Sequence, residues 1–141
     1  MKKLKQVQPS FITDNVIATM AKTMTEKKLK DRFLVRLGNH IHSIKIEDIS
    51  LFYAEGRTVY LVTIENKKFI LDYKLEDLEE LLDSRIFYRV NRSFIININE
   101  IKDVMVFSNS RLKITTTSVA DKEIIVSRER VAEFKKWFEG V

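Results

Sequence analysis

At Arg32 the apolar residues of this 141-residue chain change their period, and that change restricts what the body can fold into. Ahead of it, Val16, Ile17, Met20 and Met24, with Ala21 among them, recur at loose helical spacing in a polar stretch that also holds Pro9. Beyond it, Phe33, Val35 and Leu37 alternate with Leu34 and Arg36, the period of two that a strand demands. Gly38-Asn39 then gives a hairpin signal, and His40 to Ile46 alternates again with Ile44 and Ile46 on one face. The same reading predicts strands at 49–54, 58–65, 68–73, 101–107, 111–116 and 123–126. Turns are signalled at Glu55-Gly56, Glu65-Asn66 and Ser108-Asn109-Ser110.

Two segments break the pattern. Leu75, Leu78, Leu81 and Leu82 share one helical face while acids cover the rest, which predicts a helix lying on a sheet. Near the end, Val131, Phe134 and Phe138 share a face with Trp137 beside it, and Ser127 stands where an N-cap belongs. Residues 94–99 read as a strand by β-branched content, or as a short helix opened by the turn before them. The expectation is a mostly β body over 32–141, built of small antiparallel sheets with short flanking helices. Residues 1–31 are expected to form a helical or disordered arm, serving either as a linker or as a self-association surface.

Composition removes most chemistry. No Cys means no disulfide staple, thiolate nucleophile or Cys-based zinc site, and three Gly in the whole chain leave no glycine-rich phosphate loop. His40 and His42 share a strand face, but no third ligand is tied to them by spacing, so they read as surface histidines rather than a metal site. The acids of 72–83 include pairs at helical spacing, which on an amphipathic helix form a solvated face more often than an acid–base pair. Neither catalysis nor a cofactor is expected. No apolar run approaches membrane-spanning length, and MKKLKQVQPS has no apolar core after its lysines, so the chain reads as a cytoplasmic protein with no membrane partner.

Charge is placed unevenly. Residues 1–31 carry seven Lys against three acids, whereas 32–141 carry eighteen basic and seventeen acidic side chains. Within that nearly neutral body, 72–83 hold six acids and one Lys, and 84–98 hold three Arg and no acid. Local basic clusters on a neutral body suit contact with an anionic partner rather than bulk coating of nucleic acid. In FYRVNRSFIININEI, residues 87–101, the polar island Arg89, Asn91, Arg92 and Ser93 interrupts an apolar run. A buried guanidinium needs either a carboxylate partner or an external ligand. Arg85 and Arg89 are placed to reach the acidic segment upstream or a ligand, while Arg92 leans outward. Arg pairs bidentately with guanine or phosphate, and Asn with adenine. Ser127-Arg128-Glu129-Arg130 puts two arginines at the start of the last helix, where they oppose the helix dipole but could meet a phosphate, or pair with Glu129 or Glu133. The tip Glu55-Gly56-Arg57-Thr58 exposes one further Arg.

FYRVNRSFIININEI resembles the signature segment of the LytTR (LytR/AlgR-type) DNA-binding domain of bacterial two-component response regulators. FLVRLGNHIHSIKIEDISLFYAEGRTVYLVT, DYKLEDLEELL, RLKIT and VSRERVAEFKKWFEG are similar to that family in the same order, so that the likeness spans about residues 32–139. The resemblance implies a domain of small antiparallel sheets whose loops enter successive major grooves of bent double-stranded DNA. Its DNA-contacting positions fall on Arg57-Thr58, on Asn91-Arg92-Ser93, and on Arg128 and Arg130. Where many members carry His before the turn Arg, this chain has Asn91. It also implies repeated DNA sites, a homodimer on DNA, and a receiver domain or sensor kinase as partner in a longer protein. No receiver domain is expected in a chain this short, leaving an excised effector domain or a stand-alone regulator. The competing reading is a protein-interaction module that uses the arm and the basic patch on acidic protein surfaces. RNA binding stands third, because the aromatic residues alternate into the core and leave no base-stacking platform.

Overall fold

The computed structural model describes residues 29–107, 110–118 and 122–140. The expected helical spacing at Val16 to Met24, and most of the 1–31 arm, lie outside these residues, as do Ser108 and Asn109 of the third predicted turn. A hairpin comes first, β1 (Arg32–Leu37) and β2 (His40–Lys45). Then come β3 (Ile49–Glu55), β4 (Thr58–Thr63), β5 (Lys68–Leu71) and helix α1 (Leu75–Leu81). The chain continues through β6 (Phe87–Arg89), β7 (Phe94–Asn97), β8 (Ile101–Val106), β9 (Leu112–Thr116) and β10 (Ile124–Val126) to α2 (Val131–Glu139).

A five-stranded antiparallel sheet in the order β5-β4-β3-β7-β6 forms the middle layer, with β1-β2 and β8-β9-β10 as separate small sheets. One face of the middle sheet presents Phe52, Leu61, Leu71, Phe87 and Ile95, covered by Phe33 and Val35 of the hairpin and by Leu75, Leu78 and Leu82. The other face presents Leu51, Tyr53, Val62, Phe94 and Ile96, covered by Leu112, Ile114, Ile124, Val126 and Phe134. Burying each such side chain contributes about 1.5–3 kcal/mol. Two cores on either side of one sheet therefore hold strands such as β6 and β10, which at three residues are too short to persist alone.

Local irregularities follow from particular residues. Ile49 and Leu51 are two apart yet belong to opposite cores, because the β3–β4 register slips between them. A bulge at Ser50 supplies the extra residue, and its hydroxyl is buried 2.6 Å from that of Ser118. The strand predicted over 58–65 stops at Thr63, where Asn66 takes a φ of 68° and donates to the Thr63 carbonyl. For residues 94–99 the strand alternative holds: β7 follows the 91–93 turn directly and no helix opens there. Only after β7 does a 3₁₀ turn run over Ile98–Glu100, with the Asn97 side chain accepting from the Asn99 N–H. Ser127 corrects one expectation. Its hydroxyl caps no helix; a 3₁₀ turn over Arg128–Arg130 intervenes, held by Arg130 N–H donating to the Ser127 carbonyl at 2.8 Å, and α2 begins only at Val131. Leu37, aligned with Phe33 and Val35, overhangs the core edge and is 56% exposed.

Candidate nucleic-acid interface

Three loops that carry the arginines singled out above are stitched together by hydrogen bonds. The β3–β4 hairpin pairs Glu55 with Thr58, leaving a two-residue loop in which Gly56 takes a φ of 65° and Arg57 projects exposed. One residue before Glu55, the Ala54 N–H donates to the Ser93 carbonyl at 2.9 Å. On its other side the 90–93 turn meets the end of β10. Ser127 N–H donates to the Val90 carbonyl at 3.1 Å, and the Asn91 side-chain nitrogen donates to the Ile125 carbonyl at 2.7 Å.

Within that turn the side chains divide by direction. Asn91 Oδ1 accepts from the Ser93 and Phe94 N–H groups at 2.7 and 3.0 Å, an Asx turn, so both ends of its amide are engaged inside the protein. Arg89, only 11% exposed in its side chain, pairs with Glu79 at 2.7 Å and Glu76 at 3.9 Å on α1. Its remaining nitrogens donate to the Arg92 carbonyl at 2.8 Å and the Asn91 carbonyl at 3.3 Å. Of the two destinations open to Arg89, the acidic helix is the one it takes. Arg85 reaches the same acidic segment through Asp83, which it grips with two guanidinium nitrogens at 3.0 and 3.2 Å. That contact holds the Asp83 carboxyl below the usual carboxylate range. Arg130 turns inward as well, donating to the Arg89 carbonyl at 3.0 Å. By contrast Arg57, Arg92 and Arg128 are exposed, and none joins an ion pair among the described residues. Thr58 and Ser93 lie half-buried beside the first two.

Helix α2 is fixed behind these loops by aromatic contacts. Tyr88 stacks on Trp137 with centroids 5.1 Å apart, and its hydroxyl donates to Glu133 at 2.8 Å. Burial, with the nearby Glu133 charge, pushes the Tyr88 phenol up to about 12. Two further cations border the loops without any signal in the sequence. Lys122 sits 5.0 Å from the Tyr53 ring centroid and 3.4 Å from Glu55, in a hollow shared with Ser93. Arg111 enters β9 beside Ser127 and Arg128. His40 and His42 are exposed on β2, and no group of three metal-ligating side chains occurs among the described residues. No described helix is long and apolar enough to cross a membrane.

A two-core β body that presents unpaired arginines on adjoining loops defines a binding domain for an anionic partner. The chain belongs to the LytTr DNA-binding domain family, whose model matches residues 39–139. It is 32% identical over 111 residues to the sensory transduction protein LytT of Oceanobacillus iheyensis, covering 76% of this chain and 45% of that protein. It is 25% identical over 118 residues to the transcriptional regulatory protein NatR of Bacillus subtilis, covering 83% of this chain and 49% of that one. The chain thus spans about half the length of these relatives. Its fold resembles a solved LytTr DNA-binding domain of a methyl-accepting/DNA response regulator from Bacillus cereus. The TM-score is 0.67 at 22% identity, covering 77% of this chain and 96% of that one, a likeness of fold alone.

Proposed function

We propose that this chain is the DNA-reading domain of a cytoplasmic transcriptional regulator of the response-regulator type, acting without catalysis. Family membership supports DNA binding as its role. The single observation that carries the reading at residue level is the contrast within the arginines: Arg85 and Arg89 are bound to acids and Arg130 to a carbonyl, whereas Arg57, Arg92 and Arg128 stand exposed without a carboxylate among the described residues. In this reading Arg57-Thr58 on the hairpin tip and Arg92-Ser93 on the turn enter successive major grooves. Arg128 meets the backbone or a base edge beside them. Asn91 and Arg130 serve the same surface from within, by shaping the loops that present its neighbours. The partner is double-stranded DNA with repeated sites, occupied by a homodimer; where the domain is part of a longer protein, a receiver domain or sensor kinase supplies its signal.

Selection of bound genomic fragments, followed by methylation protection of guanine N7 on the recovered duplex, tests the groove assignment. Protected guanines should cluster in two patches on one face of the duplex, about one helical turn apart. Retention of fragments without any major-groove protection would overturn it.

A further inference from the structure

Arg111 carries an orphan: its Nε is buried and has no hydrogen-bond partner, alone in this among the described residues. The guanidinium carbon lies 6.0 Å from the Phe107 ring centroid, at the edge of cation–π range. Among the described residues no acid pairs with it, and the ion pairs there include neither Arg111 nor Arg128. Both arginines nevertheless line one open concavity of about 420 Å³, together with Ile125, Ser127 and Glu129. Glu129 shares this rim without forming an ion pair to either guanidinium. Two guanidinium groups, one half-buried and one exposed, thus meet at one hollow without a carboxylate partner among the described residues, an arrangement that favours an anion with several acceptor oxygens.

We infer that this concavity seats one phosphodiester of the DNA backbone, gripped between Arg111 and Arg128. A phosphodiester offers two unesterified oxygens and a single negative charge, one oxygen for the Arg111 fork and one for Arg128, with the Ser127 hydroxyl in the same hollow. The wall of the site is tied to the 91–93 turn through the Asn91–Ile125 hydrogen bond. A phosphate seated there therefore sets the register of Arg92 on the duplex and carries no sequence information itself. The inference rests on the DNA-binding reading and adds to it a position, Arg111, that charge counting along the chain did not mark.

The test compares Arg111→Gln, Arg128→Gln and the double variant with the unaltered protein. Affinity is measured for the selected duplex and for a random duplex of equal length at several salt concentrations. Arg111→Gln should weaken both complexes by the same factor, roughly tenfold, as loss of a charge-assisted hydrogen bond to a phosphate does. Arg128 still neutralises that phosphate in the single variant, so the slope of log K against log salt should change little there. Because both arginines hold the same phosphate, the double variant should flatten the slope by about 0.9, one phosphate's worth and no more. Thermal midpoints establish that each variant is folded, and should Arg111→Gln unfold, Arg111→Lys, which keeps the charge but not the fork, takes its place with the same expected sign. Unchanged affinity in a folded Arg111 variant, with the parent binding DNA normally, would overturn the inference and leave the DNA-binding reading intact. So would a double variant whose slope falls by about two units, which would mean two separate phosphates. Failure of the unaltered protein to bind any duplex would overturn both.

Discussion

Replacing Arg89 by Ala should cost more stability than any other single change in the polar island. The side chain holds three structures at once: α1 through Glu79 at 2.7 Å, and the 90–93 turn through the Arg92 and Asn91 carbonyls. The acid end contributes modestly, because Glu79 is 41% and Glu76 71% exposed and both can rehydrate once the guanidinium is gone. The carbonyl end contributes more. Hydrogen bonds from a charged donor are worth about 1.5–3 kcal/mol each, of which the 2.8 Å bond to Arg92 retains most and the 3.3 Å bond to Asn91 less. Together a loss of about 2–4 kcal/mol is expected, a fall in thermal midpoint of roughly 10–20 °C for a body of this size. Urea unfolding should show a lowered midpoint at unchanged m-value. Arg89→Lys should recover only a small part, since one ammonium cannot reach an α1 carboxylate and both carbonyls in the fork geometry. A folded Arg89→Ala protein within about 0.5 kcal/mol of the parent would refute the view that this arginine braces the turn.

Other perturbations separate binding from folding. Arg92→Ala should lower DNA affinity by about 1–3 kcal/mol with selectivity relaxed at one base pair, and leave the thermal midpoint unchanged; titration of the selected duplex and its single-base variants reads both. Phe94→Ala should do the reverse, costing about 3–5 kcal/mol in urea unfolding, because its ring is 8% exposed and stacked 5.5 Å from Tyr53. The depressed Asp83 acid contributes stability that is present above the ordinary carboxylate range and lost as pH falls through its lowered value. Acid unfolding below pH of about 4 should therefore be shallower in Asp83→Asn than in the parent.

The period change at Arg32 and the β alternation after it made most strands legible, since each records which side chains face a core; β6 over Phe87–Arg89 was not predicted, because three residues are too few to show a period. The leucines of α1 were legible for the same reason, with Leu75 and Leu78 buried in it, Leu82 buried just past its end and Leu81 half-buried. Local alternation could not foretell the bulge at Ser50, whose buried hydroxyl finds its partner in Ser118, 68 positions away. The candidate site divides along the same line. Clusters of cationic residues marked the loops, but which members turn inward is decided by partners distant in sequence: Asn91 by a carbonyl 34 residues on, Arg130 by one 41 residues back. Arg89 could be weighed against the acidic segment because Glu79 is only ten residues away. Arg111 and Lys122 carried no signal, for each stands singly in the sequence and gains its setting only when β9 and β10 pair.

The most direct test is equilibrium binding of the selected duplex and of a random duplex of equal length, measured between 50 and 200 mM salt, with roughly −0.9 of slope expected for each phosphate neutralised. The account predicts tighter binding to the selected duplex at every salt concentration, and a steep linear fall of log K with log salt for both. Selectivity should collapse when Arg57, Arg92 and Arg128 are all replaced by Ala in a protein that still unfolds at the parental temperature. Equal affinity for the two duplexes, or a response to salt that stays flat, would contradict it.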